Sequence, residues 1–413
     1  MLDWLSNDGK LIISARILRT FAYGFLSVIL AIYLRLIGLS DPAIGFVLTA
    51  TLANSIVFTV IASFYADRIG RRKMLILYGA LMSSAGAIFV VSGDFVSLII
   101  AALIGTINVT GSETGAFLSI EQALLPQTVT DIKKRNTVFA FYNMAGTFAM
   151  AIGTLLSGLP SLLQQHYGLT QVDSIKPLFL LYSALGIATI VIYLFLSRKI
   201  EAPSSSYSSS YISKPLTKTL SPNSKRVVGK LSGLFAVDSF AGGFVIQSLV
   251  SFWFYTRFGI ELATLSYIFS VAGVLTALSF LAAAKIADRI GLINTMVFTH
   301  IPSNLLLIMV GFAPSLPFAI GFYLTRMALS QMDVPTRQSY IAAVVNEDER
   351  TAAAGITNIS RNISQAISPS VTGTILQLLP AMSAPFVIGG ALKIIYDLAL
   401  YFSFRNIKPE QEQ

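Results

Sequence analysis

Two stretches decide the reading: YADRIGRRK, Tyr65 to Lys73, and its partial echo IADRIG, Ile286 to Gly291. The first packs Asp67, Arg68, Arg71, Arg72 and Lys73 between two long apolar runs, in a chain that is only 12% charged. Of its 413 residues 54% are hydrophobic, and the mean hydropathy is +0.71. Uncharged runs of about 20 residues, each enough to cross a bilayer at about 1.5 Å per residue, alternate with short charged loops. Lipid satisfies no backbone group, so such runs must be helices or a closed barrel. Period-two alternation is absent, which selects helices.

Twelve candidate spans follow, from 11–36 to 383–404, with the fourth at 95–126, the seventh at 230–256 and the tenth at 315–342. The expected class is an all-α integral membrane protein: a six-helix bundle over 1–200, a flexible Ser- and Pro-rich linker over 201–229, and a second six-helix bundle over 230–413. Lysines and arginines set the orientation. With the amino terminus inside, the inner segments hold Lys10, the 68–73 cluster, Lys133, Lys134, Arg135, the linker cations, Lys285, Arg289, Arg350, Arg405 and Lys408, against Arg35, Lys176 and Arg257 outside. Both termini and the linker are therefore expected in the cytoplasm of a multi-pass plasma-membrane protein.

The echo is part of a longer repeat. A shift of 221 lays ADRIG at 66–70 on ADRIG at 287–291 and Gly38 on Gly259. A shift of 217 lays Gly115–Ala123 on Met332–Tyr340, and one of 215 lays Arg135 on Arg350. Two parallel six-helix copies mark a secondary transporter, with substrate held between halves.

Together, the twelve spans in two halves, the basic central loop and the Asp-Arg-x-Gly-Arg-Arg-Lys loop resemble the major facilitator superfamily over essentially the whole chain. One departure is Ser63, where the family usually has glycine four residues before the acid. The resemblance implies a rocker-switch carrier whose spans one, four, seven and ten line a cavity. It also implies that Asp67 meets the start of span eleven, near Arg350–Ala353. With Gly70 allowing a tight turn, Arg71 is expected to reach Glu121 at the inner end of span four. Asp67, Arg68, Gly70, Arg71, Glu121, Asp333 and Arg337 form the expected cytoplasmic gate. The alternative role for the loop is topogenic charge.

Ionisable groups at bilayer depth are costly and mark candidate sites. Glu113 and Asp238 are the proton-coupling candidates. Arg19, Tyr23, Asn108, Arg326, Ser330 and Arg361 are the cavity candidates. Arg16 and Arg19 can instead snorkel, and Glu113 can instead be a structural partner of either arginine. Arg326, Ser330, Asp333 and Arg337 fall on one face of a continuous helix, with Asp333 and Arg337 paired at i, i+4. Lys393 and Asp397, also four apart, are expected to form a structural pair.

With no cysteine and two distant histidines, no metal site or cofactor is expected. No Walker-type loop and no Gly-x-Ser-x-Gly appears, so neither an ATPase nor an intramembrane hydrolase is read. The net charge of +9 sits in loops facing lipid headgroups, so no nucleic acid is expected. The expected function is a monomeric secondary carrier moving a small solute, coupled to protons, in the export direction. The alternatives are an uptake carrier for an organic anion or other polar solute, and a lipid-moving member of the same superfamily.

Overall fold

The computed structural model describes residues 5–113, 115–129, 135–201, 221–345, 349–378 and 382–405. Lys133, Lys134, Lys408, most of the linker, and the side chains of Ser63, Asp67, Arg135 and Arg350 lie outside the described residues.

Sixteen α-helices are described. In the first half of the chain they are α1 (Asn7–Leu36), α2 (Asp41–Ile69), α3 (Arg71–Val91), α4 (Phe95–Ile104), α5 (Ala116–Leu124), α6 (Arg135–Leu155), α7 (Leu159–Tyr167) and α8 (Gln171–Leu194). In the second half they are α9 (Pro222–Gly243), α10 (Gln247–Phe258), α11 (Leu262–Ile290), α12 (Leu292–Gly311), α13 (Leu316–Leu329), α14 (Asp333–Ala343), α15 (Arg350–Leu378) and α16 (Ala384–Phe404). Among the described residues nine stretches are long and apolar enough to cross a membrane, and α4 and α13 are shorter apolar helices. The sixteen helices run through the twelve expected passages because several spans are built from two pieces. Large apolar side chains such as Phe46, Ile152, Ile187, Phe298 and Phe402 stand exposed, as lipid-facing residues do.

The chain forms two compact units, Met1–Ser204 with Ile246–Gly273, and Ser205–Val245 with Val274–Gln413. The division departs from the sequence boundaries at 246–273. Those residues pack with the first unit because Ser248 and Ser251 donate hydroxyl hydrogen bonds to the α1 carbonyls of Ser27 (2.7 Å) and Val28 (2.8 Å). The expected linker is also shorter at its end, since α9 begins at Pro222 behind the N-cap Ser221.

In the first unit α1 is almost wholly enclosed. Its closest approach is to α6. A Cβ on Gly24 would lie 2.2 Å from the Met150 carbonyl oxygen, and one on Gly153 would lie 1.9 Å from that of Phe21. Only glycines let two backbones meet this closely. The second unit has its own core of Leu231, Phe235, Met296, Tyr340, Tyr396 and Leu400.

The internal repeat extends to irregularities of the backbone. Gly70 (φ 108°) ends α2 and opens α3, and Gly291 (φ 85°) does the same between α11 and α12. The expected spans four and ten are both interrupted. α5 resumes at Ala116 and α14 at Asp333, positions related by the same shift of 217. The gap is long in the first copy, Gly105 to Gly115, and short in the second, Ser330 to Met332.

Candidate functional site

The long gap in span four is a built loop. Asn108 donates from Nδ2 to the Ser112 carbonyl (2.6 Å) and accepts from the Thr110 N–H at Oδ1 (3.0 Å). Gly111 (φ 81°) and Gly115 (φ 113°) take backbone conformations that side chains resist. Unwound backbone at membrane depth is tolerated where it is buried in protein or lines a cavity. Asn108, expected to line a cavity, thus spends its amide closing this loop.

The break re-aims Glu113. A continuous helix would separate Glu113 and Glu121 by about 80°, yet both carboxylates meet one guanidinium. Arg19 donates from Nη2 to Glu113 Oε1 (2.9 Å) and to Glu121 Oε2 (2.7 Å), and from Nη1 to Glu121 Oε1 (2.9 Å). Arg16 Nη1 lies 3.3 Å from Glu113 Oε2. Tyr142 and Tyr193 each donate a 2.6 Å hydrogen bond to Glu121. Arg16 lies over the Tyr142 ring at 3.7 Å, in space that only a glycine at 146 leaves, since a Cβ there would sit 2.3 Å from Arg16 Nε. Two cations and two anions cancel, as burial requires. Arg19 is fully buried, so it does not snorkel. Tyr23 is also buried, its ring 6.4 Å from that of Tyr182.

This arrangement corrects one expected pair: Arg19, Tyr142 and Tyr193, rather than Arg71, hold Glu121. The Arg71 side chain donates from Nη1 to the Ile200 carbonyl (3.4 Å). Glu201 accepts the backbone N–H of Arg71 (2.6 Å) and of Arg72 (3.2 Å), placing an anion at the amino end of α3. Arg68 is exposed.

In the second unit Asp238 on α9 is the node. Lys393 Nζ lies 2.5 Å from its Oδ1, and Arg337 Nη1 lies 3.7 Å from its Oδ2. Arg337 Nη1 also donates to Asp333 Oδ2 at 2.6 Å within α14. The expected Lys393–Asp397 pair is not the arrangement found. Lys393 turns to α9, and Asp397 turns to α12, where His300 Nδ1 (2.8 Å) and Asn304 Nδ2 (2.9 Å) hold it. A cross-helix partner thus satisfies Lys393, Asp238 and Asp397 at hydrogen-bond distance. Only a tertiary contact assigns His300 and Asn304 to this cluster, since no spacing links them to Asp397.

The expected stripe on span ten bends at its middle. Arg326 and Ser330 belong to the end of α13, and Asp333 and Arg337 to α14. Arg326 is buried, its Nη1 donates to the Met327 sulfur at 3.3 Å, and among the described residues its Nε has no hydrogen-bond partner. Ser330 is buried with its hydroxyl 3.9 Å from the same sulfur. Arg361 on α15 donates from Nε to Ser239 Oγ (3.0 Å). Among the described residues no His, Asp, Glu or Cys group is arranged to hold a metal ion.

Known proteins share this architecture. The structure of a mutant of the nucleoside transporter NupG superposes with a TM-score of 0.78 at 13% identity, covering 96% of this chain and 100% of that one. The D-xylose-proton symporter superposes at 0.73 with 14% identity, covering 98% of each chain. In sequence, the chain is 27% identical to the uncharacterized membrane protein YJR124C of Saccharomyces cerevisiae over 97% of this chain and 95% of that one. The model of the Major Facilitator Superfamily matches residues 12–369. The chain is thus a multi-pass membrane protein of the transporter fold, and it belongs to the Major Facilitator Superfamily.

Proposed function

We propose that the chain is a secondary active transporter that moves a small solute by alternating access, coupled to protons, and that it works in the direction of export. The observation that carries the transport reading is the pair of broken spans at repeat-related positions. Each places buried charge beside interrupted backbone, as substrate sites in transporters do.

Coupling rests on the two charge clusters. Protonating Glu113 would release Arg16 while Arg19 stays on Glu121, and protonating Asp238 would release Lys393. Either event exchanges a proton for a freed cation within a balanced network. Export rests on composition: helices rich in aromatic and aliphatic residues suit an amphipathic cargo. Uptake of an organic anion is the second reading, favoured by the buried Arg326, with which no described carboxylate forms an ion pair. In the same reading the protein sits as a monomer in the plasma membrane with both termini in the cytoplasm.

Reconstitution into liposomes with an imposed pH gradient of either polarity tests this. Solute flux that follows the gradient, with Glu113→Gln retaining exchange but losing the gradient response, is the expected result. Gradient-driven flux unchanged in both Glu113→Gln and Asp238→Asn would remove the coupling assignment. Failure of a broad solute panel to move in any direction would remove the transport reading.

A further inference from the structure

The buried charges of the two units are paired differently. In the first unit Arg16 and Arg19 meet Glu113 and Glu121, two against two. Among the described residues the buried acids of the second unit are Asp238, Asp333, Asp397 and, beside Ser221 at the start of α9, Glu349. Against them stand Arg326, Arg337 and Lys393, all buried, and the half-buried Arg361. Lys393 takes Asp238, Arg337 takes Asp333, and His300 and Asn304 take Asp397. Among the described residues no carboxylate forms an ion pair with Arg326 or Arg361. A buried guanidinium without an ion-pair partner is costly, and this unit keeps one buried and another partly so.

A cavity lies beside the second of them. It holds about 80 Å³, lies between α14 and α15, and is lined by Arg337, Arg361, Gln338, Asn358 and Thr357 with two aliphatic neighbours. No acid lines it. About 10–15 Å³ suffices for one water, so the space suits a carboxylate or phosphate group rather than a whole solute. The Arg361 Nε is anchored on Ser239, which fixes the guanidinium and leaves its outer edge for a ligand. That edge is the fork that matches a planar carboxylate or a phosphate oxygen pair.

We propose that this cavity is a subsite for the anionic group of the transported solute, a carboxylate or a phosphate monoester, bound by Arg361 with Gln338 and Asn358. Arg326 is the second guanidinium of the same unit with which no described carboxylate forms an ion pair. The proposal rests on the transporter reading and names its substrate class: a solute carrying at least one negative charge.

Binding is measured without transport, so the two readings fail separately. The full-length protein, purified in detergent, is unfolded thermally at constant chloride and ionic strength with added propionate, inorganic phosphate, phenyl phosphate or the neutral propionamide. A saturable rise in Tm with propionate, or with the two phosphates, and none with propionamide is expected. The arm that responds identifies carboxylate or phosphate as the anion. Arg361→Gln should weaken the response about ten-fold or more, and Arg361→Lys should restore part of it. Arg326→Gln, which leaves the cavity wall intact, should weaken it less. Equal protection by propionamide, or no protection by any anion above the chloride background, overturns the proposal. So does full retention of the response in a folded Arg361→Gln protein.

Discussion

Arg19 and Glu121, 102 residues apart, form a two-bonded ion pair, Nη1 to Oε1 at 2.9 Å and Nη2 to Oε2 at 2.7 Å, with both side chains fully buried. Removing one partner leaves the remaining charges of the Arg16, Arg19, Glu113 and Glu121 cluster unbalanced in a low-dielectric interior. Arg19→Gln or Glu121→Gln should therefore cost about 3–5 kcal/mol. Thermal unfolding in detergent would show it. The double variant Arg19→Met/Glu121→Leu should lose less than the sum of the singles, because the two sites share one interaction.

The contact between α1 and α6 makes a second expectation. Gly153→Ala puts a methyl group 1.9 Å from the Phe21 carbonyl oxygen, a backbone atom that cannot rotate away. The helices must separate, at about 1–3 kcal/mol. Gly233→Ala meets nothing within 4 Å and should be close to neutral or slightly stabilising in the same assay.

Asp238 and Lys393 separate stability from coupling. Asp238→Asn leaves the Lys393 ammonium, now 2.5 Å from a carboxylate, without its charge partner. The single variant should melt lower. Asp238→Leu/Lys393→Met should recover most of the stability, since apolar replacement of a buried pair is often neutral. If Asp238 also carries the proton, that recovered protein should still fail to respond to a pH gradient. A double variant that regains both would reduce Asp238 to a structural role.

Asp94 offers a pH test outside the membrane. It caps α4, accepting from Ser92 Oγ (2.5 Å) and from the Ser97 N–H (2.9 Å). The Ser92 hydroxyl, then Ser97, hold its carboxyl down at about 2. A depressed acid stabilises fully above its unfolded value of about 3.9, and the contribution fades as pH falls through the folded value. The Asp94 carboxyl carbon shift should titrate near pH 2, and Ser92→Ala should move that midpoint upward.

Glu201 supplies a local test of the loop. Its carboxylate serves the Arg71 and Arg72 N–H groups at the start of α3. Glu201→Ala should cost about 1 kcal/mol and raise amide exchange at those two residues. Unchanged exchange there would mean that water replaces the carboxylate without loss.

Much of the architecture was legible in the chain itself. Apolar run length gave helices that span a membrane, and the shift of 221 between the two ADRIG stretches gave the duplication. The repeat even marks where spans four and ten resume after their breaks, at Ala116 and Asp333. It does not show that the breaks exist, because hydropathy counts residues and is blind to φ. Asn108, Gly111 and Gly115 are the signal that could have been read, a turn former followed by two glycines.

Sequence alone determined which residues carry charge into the bilayer: Arg16, Arg19, Glu113, Glu121, Asp238, Arg326, Asp333, Arg337, Arg361, Lys393 and Asp397. Only the tertiary structure decided who holds whom. Helical spacing favours Lys393 with Asp397 and leaves Glu113 and Glu121 apart, yet Lys393 binds Asp238 and one arginine binds both glutamates. The reason is energetic. A buried charge takes the partner that completes its hydrogen bonds at the shortest distance, and that partner is as often on a helix far away in the chain as on its own.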